Sequence, residues 1–359
     1  MTKATKTGKA PAIRAALGMG AALALAFALT GCDNPAGGNG GGGNRGNFVM
    51  VSAGGTHTLA ICEDGRLWGW GQRSGMRLGG SPTQTNQYNP IQIGEHDDWV
   101  HASAGNEHSF GIREDDLGRR TLWAWGQRQH GRLGLGALSA GAGSEVITRV
   151  GTGTDWLYVS AGHEHSAGIR GTGTSGHLYT WGNGLNGGLG INPVPTSNNA
   201  PVRIAPTISD WTRVSAGNGF ALALRANGQL FSWGNNVNAR TGQNSTTGNT
   251  PVPRRVGTAS NWASVSVASS NYSMAITTNG ELWSWGSNSQ GRTGHDTTSS
   301  NTVEPRRVGT ALGWESVSTG TSHSIAIRAG SLYGMGSNSN GRLGDGTTTQ
   351  RLVPTAVVF

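Results

Sequence analysis

Four histidines recur in one local setting. His57, His108, His165 and His323 each lie five residues beyond a serine, at Ser52, Ser103, Ser160 and Ser318. Such a set of imidazoles could ligate a metal or pass protons near neutral pH. The matching places after Ser215 and Ser266, however, hold Phe220 and Tyr272. A ring that phenylalanine can replace is chiefly a packing group with room for one hydrogen bond, so the position reads as structural. His163-Glu164-His165 offers two imidazoles and a carboxylate at close range, but zinc needs three or four convergent ligands and His165 already belongs to the repeated set. No metal site is assigned.

Other chemical patterns fare no better. Gly171-x-Gly173-x-x-Gly176 and Gly182-x-Gly184-x-x-Gly187 spell a dinucleotide-binding pattern, which has meaning only between a strand and a helix of a βαβ unit. With 61 glycines in 359 residues, chance matches are expected. No G-x-S-x-G elbow, H-E-x-x-H, C-x-x-C or calcium loop occurs. Glu114, Asp115 and Asp116, with Arg119 and Arg120, read as a solvated loop rather than an acid/base pair. The reading is therefore of a protein with no catalytic residues and no cofactor. Arg77, Arg132, Arg240, Arg292 and Arg342 fall at or near one repeat position. They either bond a neighbouring unit's carbonyls and carboxylates or form an interaction ring on one rim, since arginine is enriched at binding hot spots.

The elements that carry these residues are copies of one unit. The cores VSAGGTHTLAI (51–61), ASAGNEHSFGI (102–112), VSAGHEHSAGI (159–169), VSAGNGFALAL (214–224), VSVASSNYSMAI (265–276) and VSTGTSHSIAI (317–327) make six, with serine spacings of 51, 57, 55, 51 and 52. A period near 50 signals small units that bury their apolar faces only against each other. Each core is followed by a second signature, LWGWG (67–71), LWAWG (122–126), LYTWG (178–182), LFSWG (230–234), LWSWG (282–286) or LYGMG (332–336). Large residues at alternate positions lie on one strand face, which makes Trp70, Trp125, Trp181, Trp233 and Trp285 packing positions. Turns such as Asp64-Gly65, Asn227-Gly228 and Asn279-Gly280 join the two strands as hairpins. A loop of GRLG type and a proline-led β-branched run complete the unit, and the next opens on Trp99, Trp156, Trp211, Trp262 or Trp314.

Four short strands per unit and no helical period predict an all-β fold, a β-propeller of six four-stranded blades, or seven with one degenerate. The last residues, PTAVVF (354–359), match the strand that precedes a VSAG core. The N- and C-terminal strands are therefore expected to close the ring by pairing in one blade.

The units resemble the regulator of chromosome condensation repeat family over residues 48–359. That resemblance implies a propeller, most often seven-bladed, which binds protein partners through loops on its faces. This chain departs in showing six cores and arginine where the family usually has glutamine in the G-Q-L-G loop. The resemblance extends to the secreted β-lactamase inhibitor protein II.

The first 47 residues differ in kind. Lys3, Lys6, Lys9 and Arg14 precede an apolar run from Ala15 to Thr30, the parts of a secretory signal at 1–31. The run is shorter than the roughly 20 residues of a membrane span. Leu29-Thr30-Gly31-Cys32 resembles the lipobox of bacterial lipoproteins, which implies lipid attachment at Cys32. Residues 32–47, Gly/Asn-rich, read as a flexible tether to the propeller at 48–359. The four early cations belong to 27 in all, so the rest holds 23 against 19 acids, a net of +4. With no dense basic patch, nucleic acid is not expected as a partner. Cys62 is expected as a small, partly buried thiol.

Together these features describe an exported, membrane-anchored envelope monomer that binds an unidentified protein or envelope macromolecule. The alternatives are an inhibitor that caps an enzyme's active site and an enzyme acting on glycans, for which the repeat positions supply no clustered carboxylates. Guanine-nucleotide exchange, implied by the family's founding member, conflicts with export.

Overall fold

The computed structural model describes residues 47–80, 86–139, 143–267, 271–298 and 301–358. The signal, Cys32 and the tether up to residue 46 lie outside them. Within them the chain forms six sheets, each of four antiparallel strands in sequence order. Blade 1 holds β1 (Phe48–Ala53), β2 (His57–Cys62), β3 (Leu67–Gly71) and β4 (Gln87–Gln92). Blade 2 holds β5 (Trp99–Ala104), β6 (His108–Glu114), β7 (Arg120–Gln127) and β8 (Gly143–Arg149). Blade 3 runs through β9 (Trp156–Ala161), β10 (His165–Arg170), β11 (His177–Asn183) and β12 (Ser197–Arg203), and blade 4 through β13 (Trp211–Ala216), β14 (Phe220–Arg225), β15 (Leu230–Gly234) and β16 (Thr250–Arg255). Blade 5 is β17 (Trp262–Val267), β18 (Tyr272–Thr277), β19 (Leu282–Gly286) and β20 (Thr302–Arg307); blade 6 is β21 (Trp314–Thr319), β22 (His323–Arg328), β23 (Ser331–Gly336) and β24 (Arg351–Ala356). The VSAG strands are innermost and line a cavity of about 1360 Å³.

The expected pairing of the chain ends is not what forms. β1 pairs with β2, and β24 pairs with β23 in blade 6. The VSAG-type strand, led by tryptophan in blades 2 to 6 and by Phe48 in blade 1, is the first strand of every blade, so one sequence unit coincides with one blade. The two ends consequently fall in different blades.

The Trp-Gly signature has a steric cause. Gly71, Gly126, Gly182, Gly234, Gly286 and Gly336 stand last or next to last in the third strands, with φ between +93° and +109°. A Cβ on Gly126 would also lie 2.7 Å from the Glu107 carbonyl oxygen. No side chain fits there without strain. The glycine bends the chain away, and a short 3-10 turn then delivers the arginine.

Cohesion lies between blades rather than within them. Leu59, Ile61 and Leu67 of blade 1 pack on Trp99, Ala102 and Trp125 of blade 2. Phe110, Ile112, Leu122 and Leu133 of blade 2 pack on Trp156 and Trp181 of blade 3. Equivalent clusters join blades 3 and 4, 4 and 5, and 5 and 6. Trp125, Trp156, Trp181, Trp211, Trp233 and Trp285 are fully buried in these seams, and truncating such a residue to alanine typically costs ~3–5 kcal/mol.

Candidate functional site

Two histidines of the repeated set, His57 and His108, enter a polar node between two blades. His57 Nε2 lies 2.8 Å from Ser109 Oγ of blade 2. That hydroxyl donates back to the Arg77 carbonyl of blade 1 at 2.7 Å, and the Trp125 indole N–H donates to the same carbonyl at 2.9 Å. The next seam repeats the set. His108 Nε2 meets Ser166 Oγ at 2.9 Å, while Ser166 and Trp181 donate to the Arg132 carbonyl at 3.0 and 2.9 Å. Because each serine spends its proton on a carbonyl, the histidine must donate from Nε2, which fixes a neutral tautomer.

The electrostatics agree. Burial, reinforced by the Arg77 charge, lowers His57 to about 3; burial likewise lowers His165 to about 4 and holds His108 well below its usual value. A buried ring kept neutral is suited to packing rather than to proton transfer at physiological pH.

The variants of the node follow the sequence. Phe220 takes the histidine's place at the seam of blades 4 and 5, where Ser273 and Trp285 still donate to the Arg240 carbonyl at 2.8 and 3.0 Å. At the seam of blades 5 and 6, Tyr272 is hydrogen-bonded to Ser324 at 2.9 Å, and Ser324 donates to the Arg292 carbonyl at 3.0 Å. Burial raises the Tyr272 phenol above its usual range. Between blades 3 and 4, Trp233 donates to the Gly188 carbonyl at 3.0 Å, and Ala221 replaces the serine.

A second bond joins the inner strands. Ser52, Ser103, Ser160, Ser215 and Ser266 each accept from a backbone amide of the next blade: Ala104, Ala161, Ala216, Val267 and Thr319, at 3.0–3.2 Å.

The five arginines are placed by the same turns, but unequally. Arg77, Arg132 and Arg240 are 5%, 1% and 5% exposed. Arg77 Nη1 donates to Thr56 Oγ1 and, at 3.3 Å, to the Asn106 carbonyl of blade 2. Arg132 Nη1 lies 3.4 Å from both Glu107 Oε2 and the His163 carbonyl of blade 3. Arg240 donates to the Asn218 carbonyl at 3.0 Å and stacks 5.2 Å from the Phe220 ring centre; burial lowers it to about 10. Arg292 reaches the Thr321 carbonyl of blade 6 at 2.8 Å. Arg342, exposed, bonds Ser322 and Ser339 of its own blade. Three guanidiniums are thus internal clasps, two of which reach the following blade; Arg342 faces solvent.

The remaining positions fall where loops run. Both glycine patterns lie at strand ends and turns, without an α-helix. Glu114 pairs with Arg120 at 2.6 Å and Asp115 with Arg119 at 2.7 Å in the hairpin of blade 2, at the channel mouth. Among the described residues, no cluster of three His, Cys, Asp or Glu could hold a metal. Cys62 is 1% exposed and disulfide-bonded, not the partly buried free thiol expected.

Two features escaped the sequence reading. The serine after the ring position, Ser109, Ser166, Ser273 or Ser324, bonds back to the previous blade, and its signal was the recurrence of serine there, with Thr58 and Ala221 as the exceptions. Pairs 15 residues apart, Asp98–Arg113, Asp155–Arg170 and Asp210–Arg225, close at 2.6–2.7 Å. Their signal was an aspartate before the opening tryptophan.

Two profiles of the regulator of chromosome condensation (RCC1) repeat match the chain. One covers residues 64–112, 175–224, 227–276, 279–327 and 329–359, more than half of it; the other covers 48–74, 211–240 and 262–292. The probable E3 ubiquitin-protein ligase HERC6 of Homo sapiens is 30% identical over 213 residues, 58% of this chain and 20% of that protein. The ultraviolet-B receptor UVR8 of Arabidopsis thaliana is 27% identical over 247 residues, 68% of this chain and 54% of that one. This chain thus spans about half or less of these relatives. Among solved structures, Prp20p of Saccharomyces cerevisiae, described with its binding properties to Gsp1p and histones, superposes with a TM-score of 0.75 at 20% identity, covering 87% of this chain and 77% of that one. Human WBSCR16 gives 0.74 at 20% identity, over 88% and 84%. At such identities the fold is what is shared.

Proposed function

The chain belongs to the regulator of chromosome condensation repeat family, and on that premise we propose that its propeller is a non-catalytic platform whose loops bind a protein or other macromolecular partner in the cell envelope. The observation that carries this reading is where the recurrent ionisable side chains go. The histidines of the nodes and the arginines at 77, 132 and 240 are committed between or beneath blades, with the buried histidines held neutral. What differs from unit to unit is the loops, such as the charged hairpin of blade 2 at the channel mouth. The description of Prp20p with Gsp1p and histones supports partner binding as a use of this fold.

Export is the second part of the proposal. The signal at 1–31 directs the chain out of the cytoplasm, lipid on Cys32 fixes it to a membrane, and the tether holds a monomeric propeller clear of it. One sulfur cannot carry both a lipid thioether and a disulfide. With two cysteines in the chain, the lipidated form requires Cys62 to be reduced or bonded to another molecule. Mass spectrometry of the mature amino terminus tests this: a diacylglyceryl mass on Cys32 supports the anchor, and an unmodified Cys32 refutes it.

Affinity capture from crosslinked envelope extracts should recover one partner reproducibly, and charge reversal across 114–120 should weaken that capture. Repeated failure across conditions overturns partner binding. An inhibition assay against envelope and secreted hydrolases decides the inhibitor alternative with the same preparation.

A further inference from the structure

Five seams between blades are filled, and the sixth is not. Among the described residues, neither a core cluster nor a hydrogen bond joins blade 6 to blade 1. Ser318, the counterpart of the five bridging serines, is exposed and makes no such bridge. On the blade 1 side Val51 is 56% exposed, where its counterpart Ala102 is 2%, and Trp70 is half-buried, where Trp125 is 0%. On the blade 6 side Ile325 and Leu332 are half-buried, where Phe110 and Leu122 are fully covered.

The two uncovered faces carry the halves of a node. Blade 6 offers the His323 ring and the Arg342 carbonyl; blade 1 offers the Thr58 hydroxyl and the Trp70 indole N–H. These are the groups that meet at the filled seams. Building on the partner-binding reading above, we propose that this open seam is a docking site, and that its occupant is a four-stranded β-sheet of the same repeat chemistry. It turns a hydroxyl and an indole toward blade 6, and an aliphatic face with a backbone carbonyl toward blade 1.

Other occupants fit less well. Direct closure must open seams that already bury their tryptophans completely, because five well-packed steps still leave blades 6 and 1 apart. Residues 1–46 carry no copy of the repeat signature: the first tryptophan of the chain is Trp68. A second copy docking whole by its blade 1 brings its blade 2 into the space that the first copy's blade 1 fills. A single blade has neither difficulty, and it removes an apolar patch that soluble surfaces seldom leave uncovered.

The test uses the mature chain with and without a second copy of residues 151–204 appended at the carboxyl end, a unit that contains Ser166, Trp181 and His165. The extended chain is expected to melt several degrees higher and to show less acrylamide quenching of Trp70, read as the difference from Trp70→Phe. Val51→Asp should abolish that gain while moving the melting temperature of the unextended chain by about 1 °C or less, as at other exposed sites. A loss of about 5 °C or more from Val51→Asp alone means that the seam closes on itself and overturns the proposal. An extension that leaves stability and quenching unchanged overturns it too. Failure of affinity capture, by contrast, bears on the loop reading and leaves these results standing.

Discussion

Ser166→Ala isolates the logic of the seams. The hydroxyl is fully buried, accepts from His108 Nε2 at 2.9 Å and donates to the Arg132 carbonyl at 3.0 Å. Its removal leaves the carbonyl with the Trp181 donor but strands the histidine N–H in a dry seam. An unsatisfied buried donor costs ~1–3 kcal/mol, which corresponds to a fall in melting temperature of about 2–6 °C for a chain of this size. His108→Phe copies the natural arrangement at Phe220 and should cost about 1 kcal/mol or less, since Ser166 retains the Arg132 carbonyl. The double variant has no stranded N–H. Its cost should fall below the sum of the single costs by ~1 kcal/mol or more, a coupling typical of groups in contact. Urea unfolding followed by tryptophan fluorescence reads all four corners of the cycle. Strict additivity, or a Ser166→Ala cost near zero, refutes the node as a stabilising device.

Three further outcomes follow from the same geometry. His57, His108 and His165 are held neutral below their unfolded value of 6.5, so as pH falls from 6.5 toward 4 the unfolded chain binds more protons. Stability, fully present above pH 6.5, should fall as pH drops to 5, by about 2 kcal/mol for each of His57 and His165; equal urea midpoints at pH 7 and 5 contradict this. Trp181→Ala empties the seam of blades 2 and 3 and should cost ~3–5 kcal/mol by denaturant unfolding, whereas Trp70→Ala, at the open edge, should cost clearly less. Gly126→Ala places a Cβ 2.7 Å from the Glu107 carbonyl oxygen at φ +103° and should destabilise by ~1–3 kcal/mol; a neutral result contradicts the strain assigned to the Trp-Gly corner.

The all-β class and the four-strand unit were legible because each unit repeats the same alternation, whereas the sequence left six blades and seven with one degenerate both open, and the structure shows six. The substitution of Phe220 and Tyr272 for histidine was enough to mark that position as packing. The glycine corners, too, were visible as the recurrent Trp-Gly pair. The node was not, because a serine and its histidine partner lie more than 50 residues apart and nothing local marks them as a pair. The roles of the arginines depend on depth: Arg132 and Arg342 occupy one repeat position, yet the first is enclosed by the next blade and the second has no neighbour beyond it. Closure was misjudged for a related reason. A repeat records the period of a ring but not the angle turned at each step, which is set by the bulk of the side chains packed in the seams.

Residue-resolved amide hydrogen exchange tests the open ring most directly. The amides of Ala104, Ala161 and Ala216 are each held by a serine hydroxyl of the preceding blade, and they should exchange slowly, through larger openings of the structure. Ala53, their counterpart in blade 1, faces the unfilled seam and should exchange much faster in the isolated protein. Protection of Ala53 equal to that of the other three would contradict the account, because it requires Ser318 to reach across and close the circle.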